Sequence, residues 1–474
     1  MRTALAAGAL ILLTASAVLA ERPGPVVQPT ETPGQWEWRD SPLPSLEGIL
    51  ARERSARPVY GLYTWAGEYR GHRDSIRKAG WRTVRVAGPM DDATMAMLAA
   101  DDMEVMMTVG LYGGGDKRNR TSFDTDEAFL DHYLKGLEAF VRRYGPGGTF
   151  FAEHPDVPVR PIRHVEVWNE PNFQYMIPPR EGVDRLVIEA EREALYARVL
   201  PAAYRTIRSV SPEVTVVGFG AGGASAGDVR FIRNVHEADP AVGRSYDVLS
   251  THPYISPAPP EAFSVRSWGG YTVAGTLAEI RKAMAAAGAA DRPVWYTEVG
   301  WPISQADGGH FPDKEKVLVS PLLQAAYVVR QYAYSMRLGV ERVMIMFVTD
   351  SDGFNGGFFL RDGNWRPSAY AVQTMIRLMP HPKLKEALVD GADGLFAYRF
   401  EPAPGSTSDV VMAWNVAGPR KVRLALGDLA RRGVRKAQVI DLFGHAAEVE
   451  LAGGAVEVEV GPCPVYVVPA MPER

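Results

Sequence analysis

Two glutamates stand where apolar, strand-like stretches of the chain end. Glu170 follows an alternating stretch in HVEVWNEPN (164–172), and Glu298 lies in WYTEVGWP (295–302). Two carboxyl groups that face one sugar can hydrolyse a glycosidic bond. The protonated group assists the leaving oxygen, and the ionised group attacks or stabilises the anomeric carbon. Asn169 adds a short donor within reach of the neighbouring sugar hydroxyl, a contact that strengthens in the transition state.

The elements that must bring these glutamates together are eight predicted strands, separated by amphipathic helical patterns. The strands are predicted at 58–64, 81–88, 104–110, 164–171, 214–220, 247–254, 293–301 and 342–350. This alternation favours a (β/α)8 barrel over an open doubly wound sheet, which would usually carry a glycine-rich phosphate loop after its first strand. Catalytic groups of such barrels lie at the carboxyl ends of the strands. Glu170 on the fourth strand and Glu298 on the seventh should therefore meet at the barrel mouth.

The flanking segments differ in character from the predicted barrel at 58–380. Residues 1–20 combine Arg2, an apolar stretch and small residues, which is typical of a secretory signal peptide, with an uncleaved anchor as the alternative. Residues 21–57 are a proline-rich lead-in. Residues 381–474 alternate short apolar strands with turns, which predicts a small all-β, sandwich-like domain that packs on the barrel through an apolar face. Glycan binding by this domain is the alternative.

Composition limits the partners and the compartment. The 474 residues carry 52 basic and 56 acidic side chains, a net charge of −4, so no basic excess points to nucleic acid or an anionic membrane. Cys463 is the single cysteine, which excludes an intramolecular disulfide. We expect a monomer that is secreted or periplasmic after cleavage, without stable membrane insertion. No cofactor and no metal are expected, because the sequence has no histidine-rich metal cluster and DSDGFNGG departs from the calcium-loop order.

The motif VWNEPN with a later TEVGW resembles the clan of retaining glycoside hydrolases that carry two catalytic glutamates on strands four and seven of a (β/α)8 barrel. The resemblance covers about residues 58–380. The added β domain is similar to that of the β-xylosidase and α-iduronidase family and of related secreted endo-glycosidases of bacterial exopolysaccharides. The resemblance implies that Glu170 is the acid/base and Glu298 the nucleophile.

The same resemblance implies roles for further residues. Asn169 would bind the sugar 2-hydroxyl, and Arg85 in VRVAG would keep Glu298 ionised, because a neighbouring cation lowers the pKa of a carboxyl group. His252 and Tyr254 in THPY would flank the two glutamates. A packed, structural role is the alternative for Arg85, His252 and Tyr254.

Two aromatic residues complete the predicted substrate site. The clan usually has a tryptophan near the end of strand eight as a floor under the sugar, whereas MIMFVTD offers Phe347 here. A phenyl ring can still stack on a sugar, but the departure weakens the match to any named family. Trp301 is a second candidate platform, with plain packing as its alternative.

These patterns predict a secreted retaining glycoside hydrolase that acts internally on a polysaccharide, either a bacterial exopolysaccharide or a plant-type β-glycan. An exo-acting glycosidase such as a β-xylosidase is one alternative. A carbohydrate-binding protein on a hydrolase scaffold is another, although that reading would fit the loss of a glutamate, and neither glutamate is lost.

Overall fold

The computed structural model describes residues 23–26, 59–110, 119–223, 226–262, 272–303, 318–351, 354–402, 406, 408–426 and 434–470. The predicted signal peptide and nearly all of the predicted lead-in lie outside these residues. The short described piece of the lead-in reaches the C-terminal domain, where the Val26 backbone N–H donates to Asp441 Oδ2 at 2.9 Å.

Eight parallel strands close into a barrel in chain order. They are β1 (Tyr60–Trp65), β2 (Thr83–Ala87), β3 (Glu104–Val109), β4 (His164–Val167), β5 (Thr215–Gly222), β6 (Val248–His252), β7 (Val294–Val299) and β8 (Arg342–Ile345). The first strand pairs with both β2 and β8, which closes the sheet. The predicted (β/α)8 barrel is confirmed, with every predicted strand at its expected place.

Helices surround the barrel and connect successive strands. They are α1 (Ala66–Ala79), α2 (Asp92–Ala100), α3 (Asp126–Tyr144), α4 (Thr149–Glu153), α5 (Arg185–Val210), α6 (Ala226–Ala238), α7 (Val273–Ala286), α8 (Pro321–Arg337) and α9 (Pro367–Leu378). Side-chain caps fix several starts: the side chains of Thr125, Asp184 and Ser320 accept backbone N–H groups at the first turns of α3, α5 and α8. No helix among the described residues is long and apolar enough to cross a bilayer.

The C-terminal part is all β. Its strands are β9 (Leu384–Asp390), β10 (Leu395–Phe400), β11 (Val410–Asn415), β12 (Arg420–Ala425), β13 (Lys436–Ile440), β14 (Ala446–Glu450), β15 (Ala455–Val460) and β16 (Val465–Ala470). Six of them form an antiparallel sheet in the order β14-β13-β16-β11-β10-β9, and β12 pairs with β15 in a smaller sheet. The predicted C-terminal β domain is confirmed.

The two faces of the larger sheet serve different cores because side chains alternate along a strand. In β10, Phe396 and Tyr398 belong to the core that is continuous with the barrel, whereas Leu395 and Ala397 belong to the core between the two sheets. The ring of Phe396 packs edge-on against Tyr334 of α8, with centroids 6.0 Å apart. The expected apolar packing of the domain on the barrel is therefore confirmed.

A buried ion pair reinforces this junction. Arg330 of α8 pairs with Glu261, and both side chains are fully buried. The Arg330 guanidinium also donates to the carbonyl of Pro462 in the β domain, at 3.2 Å from Nη1. A buried charge of this kind requires a complete set of partners, so the contact fixes how the domain meets the barrel.

Candidate active site

The turn after β4 positions the first glutamate. The strand ends at Val167, earlier than predicted, and both Trp168 (φ 71°) and Glu170 (φ 46°) adopt left-handed backbone conformations. Such conformations cost roughly 1–3 kcal/mol each and persist only where the surroundings enforce them. Two backbone hydrogen bonds do so here: Trp168 N–H donates to Val109 O at 2.9 Å, and Glu170 N–H donates to Gly220 O at 3.0 Å. Glu170 is thereby held between β3 and β5.

A glycine at the end of β5 makes room for this carboxyl group. A Cβ atom at Gly222 would lie 2.4 Å from Oε1 of Glu170 and 2.5 Å from Cε2 of Phe173. Any larger residue would displace the Glu170 side chain, so the position requires glycine.

The second glutamate lies within β7 and receives two strong donors. Arg85 Nη1 of β2 donates to Oε2 of Glu298 at 2.9 Å, and the Tyr254 hydroxyl donates to Oε1 at 2.5 Å. Charge-assisted hydrogen bonds to both oxygens stabilise the ionised form of this carboxyl group.

The two glutamates meet, as the barrel geometry requires. One carboxylate oxygen of Glu170, one of Glu298 and a ring nitrogen of His252 all lie within 4.8 Å of one another. The Nδ1 atom of His252 lies 3.0 Å from Glu170 Oε1, and its Nε2 atom lies 3.1 Å from the Thr297 hydroxyl. Burial lowers the pKa of His252 to about 4, so the imidazole is neutral near pH 7.

Asn169 and Arg85 form the wall between the glutamates. Arg85 is fully buried, and its Nη2 donates to Asn169 Oδ1 at 2.7 Å. This bond assigns the amide oxygen to Arg85, so the amide nitrogen is the group that remains for a ligand hydroxyl. The ring of Tyr63 lies 4.4 Å from the Arg85 guanidinium carbon, a cation–π contact that supports the guanidinium from β1.

The two carboxyl groups lie in different environments, which act differently on their pKa values. Burial raises the pKa of Glu170 to about 7, and the neighbouring charge of Glu166 adds to the rise while Arg85 opposes it. Burial also raises the pKa of Glu298 above its ordinary value of 4.5, but Arg85 and Tyr254 act against that rise. Because Glu298 receives both strong donors, a single shared proton belongs on Glu170.

The two aromatic candidates lie in different surroundings. Phe347 is buried at the end of β8, with its ring centroid 4.9 Å from that of Tyr63, so it stands one side chain away from Arg85. Trp301 is fully buried. Its indole N–H donates to Ala258 O at 2.8 Å, and its ring packs edge-on against Tyr327. The structure thus places Trp301 in the main hydrophobic core, where its ring has no exposed face for a sugar.

Sequence reasoning missed a third carboxyl group in the site, Glu166 of β4. It is fully buried against Arg85, Thr108 and Ser250. The available signal was its position: Glu166 lies four residues before Glu170 inside a predicted barrel strand, where an acidic side chain requires a buried partner.

Among the described residues, Glu170, Glu298 and His252 form a group whose carboxylate and imidazole atoms lie close enough together to bind a metal ion. A divalent ion there would have to share Glu298 with Arg85, whose Nη1 already lies 2.9 Å from Oε2. Repulsion between two cations on one carboxylate disfavours such a site. The expectation of a metal-free centre stays a prediction.

A cavity of about 850 Å³ opens beside Glu170. It lies between the segment that follows β4 and the first turns of α5 and α6, and aromatic and charged side chains line it together, among them Phe173, Tyr175, Phe231, Arg185 and Glu189. Arg192 of α5 fixes one wall, because its guanidinium donates to the carbonyls of Ile177 at 2.6 Å and 2.8 Å and of Asn172 at 3.1 Å. The cavity adjoins the Glu170 side of the site.

This fold, a (β/α)8 barrel followed by a C-terminal β domain, is that of known glycoside hydrolases. Solved structures of families 39 and 51 superimpose on most of the chain. The resemblance predicted from the two glutamate motifs is confirmed at the level of the fold. No protein-family model and no curated protein sequence matches the chain.

Three of these structures illustrate the likeness. A family 39 glycoside hydrolase from the gut symbiont Bacteroides cellulosilyticus WH2 has 20% identity and a TM-score of 0.61, over 87% of this chain and 81% of that one. A family 39 β-xylosidase from Caulobacter crescentus has 17% identity and a TM-score of 0.53, over 92% and 99%. A family 51 α-L-arabinofuranosidase from Bifidobacterium longum has 12% identity and a TM-score of 0.57, over 91% and 98%.

Proposed function

We propose that the protein is a retaining glycoside hydrolase that works by double displacement. The observation that carries this proposal is the approach of Glu170 and Glu298, whose nearest carboxylate oxygens lie within 4.8 Å. The centres of the two carboxyl groups lie about 5–5.5 Å apart in retaining enzymes and roughly 6.5–9.5 Å apart in inverting enzymes, which leave room for a water molecule. An approach this close between the nearest oxygens fits the shorter of these two separations. The likeness in fold to family 39 and family 51 hydrolases supports the same class.

In the first displacement, Glu298 attacks the anomeric carbon while Glu170 gives its proton to the leaving oxygen. Arg85 and Tyr254 keep Glu298 ionised and fix the direction of its lone pairs. A substantial fraction of Glu170 keeps its proton near neutral pH, because burial raises its pKa to about 7. The free amide N–H of Asn169 is placed to donate to the sugar hydroxyl beside the reacting carbon.

In the second displacement, water breaks the ester between the sugar and Glu298. Glu170, now ionised, removes a proton from that water and so recovers the proton that it gave away. Neutral His252, 3.0 Å from Glu170, holds the carboxyl group in place through both steps without placing a positive charge beside it. Two inversions at one carbon give a product with the configuration of the substrate.

The cavity beside Glu170 supports a polymeric substrate. The part of the substrate that Glu170 protonates leaves on the Glu170 side of the site, where the cavity lies. A cavity of about 850 Å³ can hold a ligand larger than one sugar ring. Aromatic faces and charged side chains together suit a saccharide. We therefore propose internal cleavage of a polysaccharide by a secreted or periplasmic monomer, with export directed by residues 1–20. A structural neighbour from Caulobacter crescentus CB15, described as a monomeric β-xylosidase, is consistent with the monomer.

An exo-acting β-xylosidase is the second candidate, because the neighbours from Caulobacter crescentus are β-xylosidases. The mature protein, incubated with a panel of bacterial and plant polysaccharides and of aryl glycosides, separates the two. Internal cleavage yields a ladder of oligosaccharides, and terminal cleavage yields monosaccharide alone. Proton NMR of the first product should show the substrate's anomeric configuration. Inverted product would overturn the double displacement, and a panel bound without turnover would favour a binding protein.

The pH dependence follows from the two carboxyl groups. With a substrate whose leaving group needs a proton, kcat/KM should fall as the pH rises through about 7, because Glu170 then loses the proton that it must donate. It should also fall at acidic pH, at a point above 4.5, as Glu298 becomes protonated. A profile of kcat/KM against pH measures both limbs. A rate that stays constant well above pH 7 would contradict the assignment of Glu170 as the acid.

A further inference from the structure

Arg85, which donates to the nucleophile Glu298, also donates to one oxygen of Glu166. Arg85 donates to Glu166 Oε2 from Nε at 2.9 Å and from Nη2 at 2.6 Å, and the Thr108 hydroxyl donates to the same oxygen at 2.8 Å. Nη1 of the same guanidinium donates to Glu298. Both Glu166 and Arg85 are fully buried, so neither charge is screened by water. Arg85 therefore divides its charge between Glu166 and Glu298.

The other oxygen of Glu166 leads to the turn of the acid/base. The Ser250 hydroxyl of β6 lies 2.9 Å from Glu166 Oε1 and 3.0 Å from Gly218 O, and the carboxylate is the stronger acceptor for its proton. The hydroxyl oxygen accepts the Gly220 N–H at 2.9 Å. The Gly220 carbonyl then accepts the Glu170 N–H at 3.0 Å. A continuous path of hydrogen bonds joins Glu166 to the strained backbone of Glu170.

We propose that Glu166 is a positioning residue that couples the two catalytic carboxyl groups: it fixes Arg85 against Glu298 and holds the turn of Glu170. This inference rests on the proposed function, since it assigns Glu166 a part in the same reaction. Glu166 touches neither the sugar nor the reacting atoms, and it acts through Arg85 on one side and through Ser250 on the other.

The charge of Glu166 gives the proposal a signature that a packing role lacks. Glu170 lies beside His252 and Glu298. Burial raises its pKa, the charge of Arg85 acts against that rise, and the charge of Glu166 adds to it. Glu298 faces Arg85, His252, Tyr254 and Glu170. Without the negative charge of Glu166, the positive charge of Arg85 acts on both catalytic carboxyl groups uncompensated. The pKa values of Glu170 and Glu298 should then both fall.

The test compares two substitutions of fully buried, arginine-paired glutamates, Glu166→Gln and Glu261→Gln. Glu261 pairs with Arg330 in a fully buried ion pair like that of Glu166 with Arg85, but at the junction with the β domain. In Glu166→Gln, kcat should fall roughly 10²-fold with little change in KM, because a misplaced catalytic group costs rate rather than binding. Both limbs of its pH profile should move to lower pH. Glu261→Gln should lower the melting temperature while its pH limbs stay at the wild-type positions.

Several outcomes would overturn the proposal. If the limbs of the pH profile keep their wild-type positions in Glu166→Gln, or move equally in Glu261→Gln, Glu166 is a packing residue only. If Glu166→Gln does not fold, Ser250→Ala interrupts the hydrogen bonds between Glu166 and the turn of Glu170 while it leaves the charge of Glu166 in place. Its rate should fall more for poor leaving groups than for good ones, and an equal fall would contradict the coupling.

A readout without turnover separates this inference from the proposed function. NMR titration of ¹³C-labelled glutamate carboxyl groups in the free protein reports the pKa of Glu170 in the wild type and in Glu166→Gln. A wild type that hydrolyses no glycoside would remove the proposed function. A Glu170 titration that is identical in the two proteins would remove the coupling.

Discussion

Replacement of Glu298 by alanine should abolish the proposed hydrolysis of every glycoside, with a fall in kcat on the order of 10⁴ to 10⁶, as is typical when a nucleophile is removed. The loss does not depend on the leaving group, because the bond to the anomeric carbon cannot form with any substrate. Arg85 and Tyr254 donate to the two oxygens of Glu298, so the substitution removes the carboxylate that both of them stabilise at that position. Steady-state rates on an activated aryl glycoside and on a natural polymer measure the effect.

Chemical trapping provides the matching control. A fluorinated glycoside that forms a slowly hydrolysed ester should label the wild-type protein, and peptide mass spectrometry should find the sugar on Glu298. Thermal unfolding of Glu298→Ala should remain cooperative, which shows that the loss is chemical. A label on another residue, or clear turnover by the alanine variant, would contradict the assignment of the nucleophile.

The barrel and the meeting of the glutamates could be predicted because both follow from regular rules. Buried parallel strands appear as short apolar stretches, and the alternation with helices fixes the topology. Once eight strands are counted, the ends of the fourth and the seventh must lie at the same mouth. The order of the strands therefore predicted a contact between residues that stand far apart in sequence, Glu170 and Glu298.

The turn that carries Glu170 could not be predicted from the same rules. Alternation suggested a strand through 171, but β4 ends at Val167, and Trp168 and Glu170 adopt left-handed conformations. Pairing with Val109 and Gly220 on the neighbouring strands supports these conformations, and no local pattern in the sequence encodes that support. The strain exists only because the assembled barrel enforces it.

The sequence also did not distinguish aromatic residues that pack in the core from those that lie beside the site. Trp301 and Phe347 both follow barrel strands, yet one is fully buried in the core and the other lies beside the site next to Tyr63. An apolar ring satisfies a core and a sugar face equally well, so residue type alone does not distinguish them. The walls of the cavity beside Glu170 come from the segment after β4 and from the starts of two helices, so its shape depends on the assembled fold.

Replacement of Glu170 by alanine should affect the two displacements differently. A substrate with a good leaving group needs no proton in the first step, so it should still form the glycosyl ester on Glu298 at a near wild-type rate. A substrate with a poor leaving group should lose roughly 10²- to 10⁴-fold, the usual contribution of general acid catalysis. The ester should then accumulate, because no carboxylate remains to activate water. A burst of leaving group followed by a slow steady state is the expected time course.

Azide separates the roles of the two glutamates. A small anion needs no general base, so it should enter the space left by the Glu170 side chain and release the sugar from Glu298 as a glycosyl azide. That product should keep the configuration of the substrate, because azide attacks an ester already formed with inversion. The wild type is the control, since Glu170 repels the anion and azide should not accelerate it. If azide instead rescued Glu298→Ala with inverted product and left Glu170→Ala inactive, the roles of acid/base and nucleophile would be exchanged.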